Sequence, residues 1–146
     1  MGLLDDYSAL NGHGSPRPAA EHQKIITWFT GKFNFEHPKV PHLFYAVGEY
    51  AVSKRPEKAP DIVILNEKTG SAVSFIEITK KPELNGILTE TEQLLKKLGF
   101  AEAHVYDYKT HTWYKFTNSA KIKNARIDEP AWSDLFQCDY NEYVNY

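Results

Sequence analysis

The chain has 146 residues, of which 42% are hydrophobic and 25% charged, and its formal net charge is −2. That length supports one domain with its own core, and the near-neutral balance excludes the strongly basic footprint of proteins that coat DNA. No apolar run approaches the ~18 residues of a membrane span, and the single Cys138 excludes both an internal disulfide and a cysteine-built zinc cluster.

Charge is unevenly placed. All 17 Lys and Arg precede residue 127, whereas five of the 19 acids follow it. The local basic groups (Lys54, Arg55, Lys58; Lys96, Lys97; Lys121, Lys123, Arg126) read first as solvated surface. The opening MGLLDDYSALNGHGSPRP has neither the basic start nor the long apolar core of a secretion signal. A cytoplasmic protein in a reducing compartment is therefore expected.

Residues 1–17 carry Gly, Ser and Pro without periodicity and read as a flexible N-terminal arm. The segment 18–137 reads as a single α/β domain, and 138–146 as an acidic, tyrosine-rich tail. A helix is expected over about 18–32, with a proline near its first turn, Gly31 near its end, and an apolar face of Ile25, Ile26, Trp28, Phe29 and Phe33. An extended run follows over 43–52, where Gly48 suggests a bulge.

The stretch Pro60–Lys81, PDIVILNEKTGSAVSFIEITKK, organises the rest. Two β-type runs, Ile62–Leu65 and Val73–Ile78, flank the turn residues Lys68-Thr69-Gly70-Ser71. Asp61 stands at the mouth of the first run and Glu77 inside the second. An unpaired buried carboxylate costs several kcal/mol or takes up a proton. Glu77 therefore calls for a cation, a metal ion, or a cleft open to water. Pro82 stops this strand, and Leu84, Ile87, Leu88, Leu94, Leu95 and Leu98 recur at helical spacing over 83–98, with Gly99 as the residue after the helix. AEAHVYDYKTHTWYKF reads as a strand over about 103–108, a turn near Lys109-Thr110 and a returning strand. Strand, helix and strand compose one parallel βαβ unit in a central mixed sheet. Ile122, Ile127, Trp132, Leu135 and Phe136 point to a short helix around Pro130–Gln137. Tyr140, Tyr143 and Tyr146 show no usable period. His22 and His104 read as ordinary surface or packing histidines, because the six histidines show no HExxH spacing.

In order, a helix with Glu21 and His22-Gln-Lys-Ile-Ile, then Pro60-Asp61-Ile-Val-Ile, then Phe75-Ile-Glu77-Ile-Thr79 before a helix resembles the PD-(D/E)XK nuclease superfamily. Leu95-Lys-Lys-Leu-Gly99-Phe, His104-Val-Tyr-Asp107 and Trp113-Tyr-Lys-Phe bring the likeness nearest to the Uma2-type restriction endonucleases, over roughly residues 18–117. The resemblance implies a restriction-endonuclease-like α/β fold, a central mixed β-sheet flanked by helices. It also implies hydrolysis of phosphodiester bonds in nucleic acid, DNA before RNA, with Mg²⁺ or Mn²⁺. No membrane partner is expected, and a homodimer is allowed.

Such chemistry needs charge neutralisation at phosphorus and a deprotonated water, which hard divalent ions on oxygen ligands supply. The resemblance assigns Asp61, Glu77 and the Ile78 carbonyl to the metal, with Glu21, or else Glu49, completing the acidic cluster. The lysine that the superfamily places two residues after the strand glutamate is Thr79 here. Lys81 keeps the strand's parity but lies about 6–7 Å further along, and Gln93 on the following helix is a candidate to orient the water. Two functions therefore stand side by side: a metal-dependent endonuclease, and a catalytically degenerate member of the fold that binds nucleic acid or protein.

Overall fold

The computed structural model describes residues 20–36, 43–48, 60–80 and 84–145. The expected N-terminal arm therefore lies outside the described residues, as do Lys81 and the expected strand positions after Gly48. Helix α1 (Ala20–Glu36) is followed by β1 (Phe44–Gly48), β2 (Ile62–Asn66) and β3 (Ala72–Thr79). Helix α2 (Leu84–Leu98) then leads to β4 (Glu102–Asp107) and β5 (Thr112–Thr117). The strands β6 (Trp132–Ser133) and β7 (Cys138–Asp139) and a last turn of helix, α3 (Asn141–Val144), complete the chain. The main sheet runs β1-β2-β3-β4-β5, with β3 and β4 parallel across α2 and every other neighbouring pair antiparallel. This is the expected mixed sheet flanked by helices.

Side-chain alternation separates two cores. Ile62, Ile64, Ile76, Ile78, Tyr106 and Trp113 pack toward α1 and the C-terminal segment. Val63, Leu65, Phe75 and Ala103 pack toward Leu95 of α2 and Phe100. Helix α2 ends as expected: Gly99 takes φ 70°, and the amides of Gly99 and Phe100 both donate to the Leu95 carbonyl.

Three local expectations need correction. Helix α1 does not end at Gly31 but continues to Glu36. Phe33, 2% exposed, packs against Phe136 at 5.2 Å between ring centroids, and burying such a ring outweighs the ~1 kcal/mol that a helical glycine costs. Gly48 marks no bulge. It pairs in register with Ile62, while the irregularity falls between Ile64 and Leu65. A Cβ at Gly48 would stand 3.0 Å from Ile26 Cγ2, so glycine here lets α1 approach the edge strand. The Asn34 amide reinforces that approach by bonding both the N–H and the C=O of Ala46, at 2.7 and 2.9 Å.

The third correction concerns Pro130–Gln137, which forms no helix. Trp132–Ser133 pairs with Cys138–Asp139 across a turn closed by the Gln137 N–H on the Ser133 carbonyl. The cause is a carboxylate far away in sequence. Glu102, fully buried on β4, accepts from the Ser133 hydroxyl and from the backbone N–H groups of Asp134 and Leu135, at 3.0 and 3.2 Å. Those bonds draw the segment out of helical geometry. Beside them Lys115 Nζ lies 2.7 Å from Asp134 Oδ2 and donates to the carbonyls of Arg126 and Trp132. Tyr140 and Tyr143 then pack into the α1 core, Tyr140 at 4.9 Å from the Phe29 ring. Tyr146 lies outside the described residues.

The Lys115 and Asp134 side chains are 3% and 4% exposed. Removing one member of a buried pair strands the other charge, at a cost of about 3–5 kcal/mol. Lys115→Met is therefore expected to lower the urea unfolding free energy by that amount and to expose the C-terminal segment to proteolysis. A loss below about 1 kcal/mol would mean that this clasp does not hold the segment.

Candidate active site

The end of the sheet where β2 begins and β3 finishes brings Asp61, Glu77 and Ile78 together. β2 and β3 are antiparallel with Ile62 opposite Ile76, so Asp61, one residue before β2, meets Glu77 and Ile78. The contact is reciprocal. The Ile78 N–H donates to Asp61 Oδ2 at 2.7 Å, and the Asp61 N–H donates to Glu77 Oε1 at 2.8 Å. Asp61 Oδ1 and Glu77 Oε2 are left without a hydrogen-bond partner among the described residues.

Helix α1 adds His22, which in the sequence reads as an ordinary surface or packing histidine. His22 Nε2 lies 3.1 Å from the Ile78 carbonyl oxygen and 3.4 Å from Asp61 Oδ2. The ring therefore touches the expected carbonyl ligand and the Asp61 oxygen that the Ile78 N–H already occupies. It also meets Tyr108 edge-on at 6.2 Å, and the Tyr108 N–H donates to the Thr79 carbonyl at 3.0 Å, which ties the β4–β5 turn to the end of β3. A lone histidine in a first helical turn offers no signal of this in one dimension. Its spacing to Glu21 was visible, its contact with a residue 56 positions away was not.

The remaining expected residues are placed as follows. Glu21 makes an ion pair with Lys109 in the β4–β5 turn, Oε1 to Nζ 3.6 Å, with both side chains more than half exposed. Lys109 Nζ also stands 5.5 Å from the Tyr108 ring centroid. Thr79, at the position of the superfamily's lysine, is buried, and its hydroxyl donates to the Lys80 carbonyl. Gln93 is exposed on α2, three residues after Glu90, whose charge acts on Glu77. Glu49 and Lys81 lie outside the described residues.

Burial, then the charge of Asp61, then that of Glu90, push the Glu77 carboxyl up from its ordinary 4.5 to about 8, against the pull of the Asp61 N–H. The donor set is two carboxylates and one carbonyl. These are hard oxygens of the kind that Mg²⁺ and Mn²⁺ take with water completing the shell. A bound dication would also offset the like-charge cost at Glu77. Among the described residues no three His, Cys, Asp or Glu side chains converge as a metal site, so a metal here would rest on the Ile78 carbonyl as well as on Asp61 and Glu77.

The sign of the pH effect follows from linkage. With its folded value raised, Glu77 makes the fold lose stability as pH rises from about 4.5 to about 8. Glu102, raised by burial to about 7, acts in the same direction over a narrower window. His104, lowered by complete burial to about 3, acts oppositely, since stability is lost as pH falls from 6.5 toward 3. Above pH 7 Glu77 is the one of these three still titrating. Metal-free Glu77→Gln is expected to match the parent near pH 4.5 and to exceed it increasingly up to pH 8. Between pH 6.5 and 8 its advantage should grow by about 1–2 kcal/mol. Chemical denaturation across that range in chelator measures it, and parallel stability curves for the two proteins would contradict the assignment.

Comparison with known proteins bears on the fold. The structure superposes on the crystal structure of a putative nuclease belonging to DUF820 from Anabaena variabilis, with a TM-score of 0.55 and 13% identity. The match covers 88% of this chain and 83% of that one. No protein-family model matches the chain, and no curated protein matches it. At that identity the likeness establishes the shared α/β nuclease-like fold. Among the described residues no helix is long and apolar enough to cross a membrane.

Proposed function

We propose that the protein is a metal-dependent endonuclease of the PD-(D/E)XK type, acting on DNA in preference to RNA. One observation carries the reading: Asp61, Glu77 and the Ile78 carbonyl meet at one end of the sheet, joined by the Asp61 and Ile78 backbone bonds. The fold shared with a putative nuclease from Anabaena variabilis supports it.

A bound Mg²⁺ or Mn²⁺ would supply charge neutralisation at phosphorus and a water acidic enough to attack at neutral pH. The chain's own contribution is positional. The reciprocal hydrogen bonds hold Asp61 and Glu77 in fixed rotamers, leaving Asp61 Oδ1 and Glu77 Oε2 for the ion. His22 orients the Ile78 carbonyl and Asp61 from outside. Glu21, tied to Lys109, stands in reserve on the same helical turn. With Thr79 in the lysine position, the task of orienting the attacking water passes to Lys81 or to Gln93. Thr79 equally favours a second reading, in which the site holds nucleic acid or protein without cleaving it.

Asp61→Ala and Glu77→Ala are each expected to reduce Mg²⁺- or Mn²⁺-dependent cleavage of plasmid DNA at least ~100-fold. In chelator both variants should remain folded. If strand parity continues past Thr79, Lys81→Ala slows cleavage more than Lys80→Ala. Cleavage that survives loss of both carboxylates would place the activity in another protein. A pure parent that binds nucleic acid but never cleaves it would establish the second reading.

A further inference from the structure

The β4–β5 turn sets a cation at the rim of the site. Asp107, the last residue of β4, pairs in register with Thr79, so the turn begins at the level where the strand of Glu77 ends. Two bonds fix it there. The Tyr108 N–H donates to the Thr79 carbonyl at 3.0 Å, and the Lys109 N–H donates to Asp107 Oδ1 at 3.0 Å. Lys109 Nζ stands 5.5 Å from the Tyr108 ring centroid, within cation–π range, and 3.6 Å from Glu21 Oε1.

These contacts put Lys109 on the α1 side of the sheet end, where Asp61 and the Ile78 carbonyl also meet the helix. Glu21 and His22 are consecutive in α1, and His22 Nε2 touches both the Ile78 carbonyl and Asp61 Oδ2. Exposure rises along that line. The His22 and Asp61 side chains are 16% and 24% exposed, those of Lys109 and Glu21 56% and 52%. The Glu21–Lys109 pair is therefore the outer rim beside a half-buried Asp61. It differs from the Lys96–Glu92 pair on α2, which is one helical turn apart and explained by local spacing. An exposed ion pair contributes little to stability, so either member exchanges its partner at small cost. Among the described residues neither Asp61 nor Glu77 pairs with a lysine or arginine, and the strand position that would offer one is Thr79. Lys80, the next residue, makes no ion pair among the described residues, whereas the Lys109 ammonium is held by Glu21 and the Tyr108 ring.

We propose that Lys109 binds a backbone phosphate of a DNA strand whose neighbouring phosphate lies at Asp61 and Glu77, and that Glu21 is the counter-ion it leaves to do so. The proposal rests on the nuclease reading for the position of the strand, but the contact it describes does not require cleavage. A lysine meets a phosphate as a point charge, and each such contact releases condensed cations from the duplex. A contact to the backbone positions the strand and reads no sequence. Glu21 competes with the phosphate for one ammonium, so the pair limits how tightly DNA is held.

The test is fluorescence anisotropy of a short fluorescein-labelled DNA duplex titrated with the full chain over a range of salt concentrations, once in chelator and once in Ca²⁺. Lys109→Gln is expected to weaken binding about fivefold at about 0.1 M salt, and to make the slope of log K against log[salt] shallower by about 0.9. Lys96→Gln removes the same charge from the last turn of α2, at the other end of the sheet, and should leave the slope unchanged. Glu21→Gln should tighten binding about 2–5-fold, and that gain should vanish in the Lys109→Gln background. No saturable binding by the parent in either buffer, equal slopes for Lys109→Gln and Lys96→Gln, or a Glu21→Gln gain that persists in the Lys109→Gln background would each overturn the proposal. The two readings also fail separately. Binding with these slopes but no cleavage by the parent keeps the Lys109 contact and removes the catalytic reading. Cleavage that needs Asp61, with a salt slope that Lys109→Gln does not change, does the reverse.

Discussion

The reciprocal hydrogen bonds between Asp61 and the Glu77–Ile78 segment are the constraint on which the site depends. Each carboxylate takes a backbone N–H from the other's strand, so the start of β2 and the end of β3 are joined through the two acids that the proposed function assigns to the ion. The bonds to the Asp61 and Ile78 amides are charge-assisted when the acceptor is ionised, which makes them stronger than ordinary ones. They also hold two acids close enough that Glu77 resists ionisation. The end of the sheet is thus a place where local order is gained and like-charge repulsion is stored.

Two glutamates of the same sheet, Glu102 fully buried and Glu77 half-buried, show what that repulsion signifies. Glu102 on β4 is surrounded by donors: the Ser133 hydroxyl, two backbone N–H groups, and the Lys115 charge nearby. Its burial is compensated within the chain, and its effect is to shape the C-terminal hairpin. Glu77 takes a single N–H and faces the negative charges of Asp61 and Glu90. A half-buried acid with one donor and acidic neighbours is a functional-site candidate. That contrast separates the site from the clasp, although both are glutamates flanked by apolar residues in strands.

Much of the fold was legible because its signals are local. The leucine spacing of α2, the Gly99 terminus and the alternation in 73–79 each depend on neighbours within a few residues, and all three appear in the structure. What was not legible depends on distant partners. The hairpin at Trp132–Asp139 is set by Glu102, about thirty residues earlier. Helix α1 passes Gly31 because Phe33 finds Phe136 and Tyr143. In the site, the meeting of Asp61 and Glu77 follows from the pairing of adjacent strands. The contact of His22 with Ile78 and the tie of Glu21 to Lys109 depend on how α1 and the β4–β5 turn sit against the sheet. No spacing rule anticipates either.

The central claim is that Asp61, Glu77 and the Ile78 carbonyl share one divalent ion. A crystal of the protein grown or soaked in Mn²⁺ at pH 8, read by anomalous scattering, tests it most directly. One ion bounded by an oxygen of Asp61, an oxygen of Glu77 and the Ile78 carbonyl is the predicted result. Mn²⁺ bound elsewhere or nowhere, with this site empty, would contradict it.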